Sequence, residues 1–199
     1  MNPLLSVKGS LITGFVIAIL FAVFAVDGGW NELGLARWLH IIAGITWIGL
    51  LYYFNAVQVP ALAEAAADKG GPGGAGITKY VAPRALLWFR WSAAVTWLTG
   101  FWYLARAGAL GAFALGTAGP EFNTYQFVIG VGAWLGTIML FNVWVLIWPN
   151  QKKILGIVPA TDEQKAAARK TALYASRINY ILSIPMLLCM GGATHGLPF

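Results

Sequence analysis

The sequence predicts an all-α protein, a bundle of five transmembrane helices that forms one domain over residues 1–199. Three observations lead to this fold class. Only 10% of the residues are charged, 59% are hydrophobic and the mean hydropathy is +0.70. A soluble domain has about 25% charged residues, so this composition excludes an ordinary soluble protein. The chain also has 24 glycines and 10 tryptophans, which membrane helices use for close packing and for anchoring at the headgroups.

Five stretches are long enough to cross a bilayer, because an apolar core of about 30 Å needs about 20 helical residues. The first follows Lys8 and is too long for the apolar part of a signal peptide, so we expect it to be retained. The predicted spans are 9–27, 36–59, 85–106, 124–148 and 171–196.

Two of the connections have their own sequence signals. The stretch 61–76 begins as a short continuation of the second helix and then contains Gly-Gly-Pro-Gly-Gly, which is typical of a flexible hinge. Thr161 precedes two acidic residues, a pattern that caps and starts a helix. We expect that surface helix to run directly into the fifth span.

Lysine and arginine predict the orientation, because cytoplasmic loops collect them. With the N-terminus inside and the C-terminus outside, 11 of the 13 basic residues lie on the inner side, and Arg37 and Arg106 lie outside. This topology accounts for the isoelectric point near 9.6, so we expect lipids and no nucleic acid as the partner of the basic residues.

Two histidines, the only ones in the chain, fall near the predicted outer surface. His40 is about one turn inside the second span, and His195 is near the end of the fifth. Each has a glycine one turn deeper, Gly44 and Gly191, and glycine leaves room for a flat ligand. The single Cys189 excludes a disulfide framework, a thiolate zinc cluster and a Cys-x-x-Cys-His haem attachment.

Paired neutral imidazoles between apolar walls are the usual axial ligands of a b-type haem. His40 and His195 therefore predict a haem b site, in which Arg37 neutralises a propionate. Two other interpretations of the histidines stay open. The histidines can be ordinary interfacial residues, or they can bind copper together with Met186 or Met190.

A second polar set lies toward the predicted inner side of the membrane, on four different helices. Polar groups inside spans are costly and usually face a cavity or another helix. This set can form a pocket for an anion or a polar heterocycle, or the amides can join helices while the arginines extend to the headgroups. The residues proposed for the pocket are Asn55, Arg90, Asn142, Arg177 and Asn179.

Several long blocks of the chain form a distinctive pattern. The block from Trp38 to Asn55 reads Trp-Leu-His-Ile-Ile-Ala-Gly-Ile-Thr-Trp-Ile-Gly-Leu-Leu-Tyr-Tyr-Phe-Asn. The further blocks are Phe89-Arg-Trp-Ser, Trp97-Leu-Thr-Gly100, 134–153 and 177–186 followed by His195. Together these blocks resemble the membrane domain at the N-terminus of PuuD-type urate hydroxylases, the urate oxidase N-terminal family. The histidine block is also similar to the membrane protoporphyrinogen oxidases that carry a haem b.

The resemblance implies a multi-pass protein of the bacterial inner membrane that passes electrons from urate toward a cytochrome c. The sequence contains no Cys-x-x-Cys-His, so we expect the acceptor to be a separate cytochrome c or a larger respiratory or photosynthetic complex. Whether the protein is itself an oxidoreductase, and whether it forms an oligomer, stays open at this point. The rival interpretation is a structural or assembly subunit of such a complex, without chemistry of its own.

Overall fold

The computed structural model describes residues 2–24 and 29–198, and every regular element in these ranges is helical. The chain divides into two compact units, one up to Glu32 and one from Leu33 onward. The long helices are α1 (Val7–Phe24), α2 (Glu32–Ala67), α3 (Ala82–Arg106), α4 (Thr124–Ile154) and α5 (Asp162–His195). The predicted all-α membrane fold is confirmed.

Four of the described helices, α1, α2, α4 and α5, are long and apolar enough to cross a membrane. The helix α3 has 25 residues and is about 37 Å long, so it has the length of a span. Its arginines and tryptophans lower its mean hydropathy. The first predicted span, 9–27, extends past the end of α1, and residues 25–28 lie outside the described ranges. The five-span count and the orientation stay predictions.

Side chains cap the start of the last two helices. The Asn123 side-chain oxygen accepts the backbone N–H of Gln126 at 2.9 Å and so begins α4. At α5, the Thr161 hydroxyl accepts from the Gln164 backbone, and the Gln164 side chain accepts from the Thr161 backbone. The cap predicted at Thr161 is confirmed, and α5 continues for 34 residues from the surface into the bundle.

Within the described ranges, three wide π-helical turns precede prolines. The turns are Phe54–Gln58 in α2, Ile77–Val81 before α3 and Asn142–Ile147 in α4. In each case a proline (Pro60, Pro83 or Pro149) stands two residues after the turn. Proline has no N–H and its ring clashes with the carbonyl one turn earlier, so the helix widens just before it.

The main apolar core joins α2, α3, α4 and α5. It surrounds the π turns of α2 and α4, and each of the four helices supplies buried side chains. Its buried members are Trp47, Leu51, Phe54, Leu86, Phe89, Ala93, Met139, Val143, Ile147, Ala175 and Met186.

The helices α4 and α5 pack along each other, whereas α5 meets α2 mainly around the π turn of α2. There the Asn55 amide donates to the Ser176 hydroxyl at 2.9 Å. Further along both helices, the Ser183 and Tyr52 hydroxyl oxygens lie 3.3 Å apart. Toward the start of α2 and the end of α5 the two helices are separated by a cavity. We call this end of the bundle the histidine end.

Candidate functional site

A cavity of about 610 Å³ lies between α2, α3, α4 and α5 at the histidine end. This volume is within the range of about 300–1,000 Å³ that is usual for small-molecule and cofactor sites. Most of the lining side chains are aliphatic or aromatic. All five residues predicted to hold a cofactor line it: Arg37, His40, Gly44, Gly191 and His195.

His40 is held in one tautomer by the backbone of α3. Its Nδ1 lies 2.8 Å from the carbonyl oxygen of Thr96. A carbonyl can only accept, so Nδ1 carries the proton and donates it in this hydrogen bond. In neutral imidazole Nε2 then keeps its lone pair, which is the arrangement that metal-binding histidines use.

Gly100 makes room for the His40 ring. A Cβ atom on Gly100 would lie 2.8 Å from Cε1 and 2.9 Å from Nδ1 of the imidazole. These distances are too short for any non-bonded carbon contact. Only glycine at this position therefore lets the ring reach the Thr96 carbonyl in its present orientation.

The two glycines predicted to leave space for a flat ligand have different surroundings. A Cβ on Gly191 would meet no atom within 4 Å, so this backbone faces open space. A Cβ on Gly44 would meet only the Thr96 methyl group, at 3.7 Å. Neither glycine has a side chain that would take up space in the cavity.

His195 is the last residue of α5, and its side chain is exposed at the cavity. Gly196 follows it with φ +86°, a backbone conformation that favours glycine. This turn brings Leu197 back against Gly192, where a Cβ would lie 2.5 Å from the Leu197 side chain. The chain reversal therefore fixes the end of the helix beside His195.

Arg37 supplies positive charge at the cavity mouth. Its Nη2 donates to the Tyr103 hydroxyl at 2.6 Å, and its guanidinium carbon lies 5.1 Å from the centre of the Tyr103 ring. Tyr125 also lines the cavity. A guanidinium and two phenol hydroxyls can bind an anionic group such as a carboxylate.

The methionines considered as copper ligands, Met186 and Met190, also line the cavity. Within the described ranges, no group of three His, Cys, Asp or Glu side chains is arranged to hold a metal ion. The possible metal donors that line the cavity are thus two imidazoles, from α2 and α5, and the two methionine thioethers of α5.

The second predicted set does not line this cavity. The Asn142 amide donates to Asn179 Oδ1 at 2.8 Å, and the Asn179 amide donates to the Met139 carbonyl at 2.9 Å. Asn55 stands apart from these two on α2, where its amide donates to the Leu51 carbonyl and to Ser176. All three asparagines are buried, and they join α2 and α4 to α5.

The two arginines of the second set lie on different helices and have different surroundings. The Arg90 guanidinium lies over the Trp148 ring, 3.7 Å from its centre, and the Arg90 carbonyl accepts from the Trp144 indole at 3.2 Å. Arg177 is exposed on α5. The structure thus joins Asn142 to Asn179, while Asn55 and Arg90 have other partners.

A model of the family described as urate oxidase N-terminal matches residues 28–112 and 119–199 of the chain. The match includes all the residues that line the cavity except Phe113. The chain belongs to the urate oxidase N-terminal family. No curated protein and no solved structure matches it.

Three cavity residues of this urate oxidase N-terminal domain were not expected from the sequence: Thr96, Gly100 and Tyr103. Thr96 acts through its backbone carbonyl, which leaves no trace in a sequence. The place of Gly100 could have been predicted from the predicted spans. Helix α3 runs antiparallel to α2, so a glycine six residues before Arg106 lies at the same depth as His40. Tyr103 lies one turn further along the same face of α3.

Proposed function

We propose that the protein is a haem b-binding redox protein of the membrane, with His40 and His195 as the axial ligands. The single observation that carries the proposal is the convergence of both histidines on one cavity, with His40 Nδ1 bonded to Thr96. A bound haem supplies one-electron oxidation and reduction at its iron.

The residues of the chain have separate tasks in this proposal. The Thr96 carbonyl keeps the proton on Nδ1 of His40, so that Nε2 is the donor atom. Gly44 and Gly191 would leave space for a flat macrocycle, and Gly100 makes room for the His40 ring. Arg37 would neutralise a haem propionate, and the apolar walls would limit access of water to the iron.

Two histidine ligands would leave a bound haem iron without a free position, which would suit electron transfer better than activation of a substrate or of oxygen. We therefore propose that electrons leave through a separate cytochrome c or a respiratory complex that docks near the cavity mouth. The family name connects the domain with urate oxidation, so urate is the first electron donor to test. We propose the bacterial inner membrane as the location.

The test is the optical spectrum of the detergent-purified protein, oxidised and then reduced with dithionite, with a pyridine haemochrome assay. We expect a sharp reduced α-band and about one haem b per chain. His40→Ala and His195→Ala should each abolish the band.

Met190→Leu is the matched control, since it changes the cavity wall and removes a possible copper ligand. It should leave the haem spectrum intact. A colourless protein, or a protein that binds copper and loses it in Met190→Leu, would refute the proposal. Addition of urate and of cytochrome c to the haem-loaded protein then tests the direction of electron flow.

A further inference from the structure

Two parts of the chain repeat the same residues at a constant distance. Trp47, Gly49 and the pair Phe54-Asn55 in α2 recur in α4. Their counterparts stand 87 residues further along the chain, at Trp134, Gly136 and Phe141-Asn142.

The same offset continues into the following helices without a gap. Ala85, Leu86 and Arg90 of α3 correspond to Ala172, Leu173 and Arg177 of α5, and Thr96 corresponds to Ser183. The spacing from asparagine to arginine is thus identical in both halves, although the connections between the helices differ in sequence.

The local structures of the matching positions agree. Asn55 and Asn142 are both buried, and both lie on a π turn. The Thr96 hydroxyl donates to the carbonyl four residues earlier at 2.7 Å, and the Ser183 hydroxyl donates to the carbonyl three residues earlier at 2.7 Å.

The contacts between the two halves also correspond. In one, α2 bonds α5 from Asn55 to Ser176 at 2.9 Å. In the other, α4 bonds α3 from the Trp144 indole to the Arg90 carbonyl at 3.2 Å. With the offset of 87 subtracted, Trp144 corresponds to position 57, two residues after Asn55, and Ser176 corresponds to position 89, one residue before Arg90. The two hydrogen bonds therefore join nearly equivalent positions of the two halves.

We infer that residues 33–105 and 120–192 are two copies of one helical hairpin, and that the cavity lies between the copies. Matching positions from both copies line it: Gly49 with Gly136, Gly100 with Leu187, Tyr103 with Met190, and Leu104 with Gly191. The side chains shared by both copies, including the paired asparagines and arginines, form the scaffold.

The residues proposed to bind the ligand are the ones that differ between the copies. The position that matches His40 is Phe127. His195 lies three residues past the second copy, and the same offset relates it to Gly108, three residues past the first. Arg37 corresponds to Thr124. The candidate ligand-binding side chains are therefore not part of the pattern that the two copies share.

The test compares the same substitution in both copies of the full-length protein. Asn55→Ala and Asn142→Ala each remove a buried amide that joins two helices, so each should lower Tm by about 3–8 °C, to a similar extent. Both variants should keep the ligand content of the parent protein. His40→Ala and Phe127→Ala are the contrasting pair, of which only His40→Ala should change ligand content.

Two results would overturn the inference. One is a large fall of Tm for one asparagine variant and no change for the other. The second is loss of ligand content in one asparagine variant at unchanged Tm, which would make that asparagine part of a binding site. The comparison of Tm values needs no haem, so it remains decisive if the proposed haem site fails.

Discussion

Gly100 lies against the imidazole of His40 so closely that a single added methyl group would overlap Nδ1 and Cε1. The same imidazole donates to the Thr96 carbonyl, one turn earlier on α3. One turn of α3 therefore sets both the position and the tautomer of His40.

Gly100→Ala should displace the His40 ring and break its hydrogen bond to Thr96. We expect a folded protein that is less stable by about 1–3 kcal/mol, because the added methyl group overpacks this contact. Its haem content should fall, or the reduced α-band should shift, in spectra of the purified variant. Gly14→Ala in α1, where a Cβ meets no atom within 4 Å, is the control. Wild-type haem content and spectrum in Gly100→Ala would show that His40 is not positioned by α3.

Arg37→Gln removes the positive charge at the cavity mouth. Hydrogen bonds to charged groups contribute about 1.5–3 kcal/mol, so haem affinity should fall about tenfold or more. The midpoint potential should also fall, because a nearby cation favours the reduced iron. Tyr103→Phe keeps the ring beneath the guanidinium and removes only its hydroxyl partner, so its effect should be smaller. Equal potentials in Arg37→Gln and the parent protein, measured by redox titration, would contradict the role of Arg37.

Asn179→Ala should destabilise the bundle without emptying the cavity. Asn179 is fully buried and makes hydrogen bonds to Asn142 and to the Met139 carbonyl. Its loss leaves the Asn142 amide buried without this partner, which costs about 1–3 kcal/mol. Thermal unfolding in detergent should show the loss. Asn150→Ala is the control, since the Asn150 amide donates only within its own helix, to the Leu146 carbonyl. An unchanged Tm in Asn179→Ala would mean that this pair does not join α4 to α5.

Gly130→Ala should separate α4 from the short turn Leu110–Ala114. A Cβ on Gly130 would collide with the carbonyl oxygen of Ala112, and backbone cannot move aside as a flexible side chain can. We expect a loss of about 1–3 kcal/mol in the free energy of unfolding. Gly76→Ala, where a Cβ meets no atom within 4 Å, should leave Tm nearly unchanged. Equal melting curves for the two variants would show that the turn adapts freely.

The composition and the runs of apolar residues were sufficient to predict the helical membrane fold, because burial in lipid needs length and hydropathy alone. The cap at Thr161 was also predictable, since its signal is local. The π turns could have been anticipated from Pro60 and Pro149, but their exact extent depends on the packing of the widened turn. The bond from His40 to Thr96 depends on which faces of α2 and α3 meet, and no local pattern reports that. The side-chain pairing of Asn142 with Asn179 was beyond prediction for the same reason.

The divergence of α2 and α5 toward the histidine end has a thermodynamic consequence. Where these helices separate, the contacts that close the bundle must come from whatever fills the space between them. A molecule bound there adds its binding free energy to the folded state, by RT ln(1 + [L]/Kd) for free ligand at concentration [L]. Protection of backbone amides near His40 and His195 against hydrogen exchange should therefore increase as more of the protein binds ligand. Amides near Asn55, Asn142 and Asn179 should be equally protected with and without ligand.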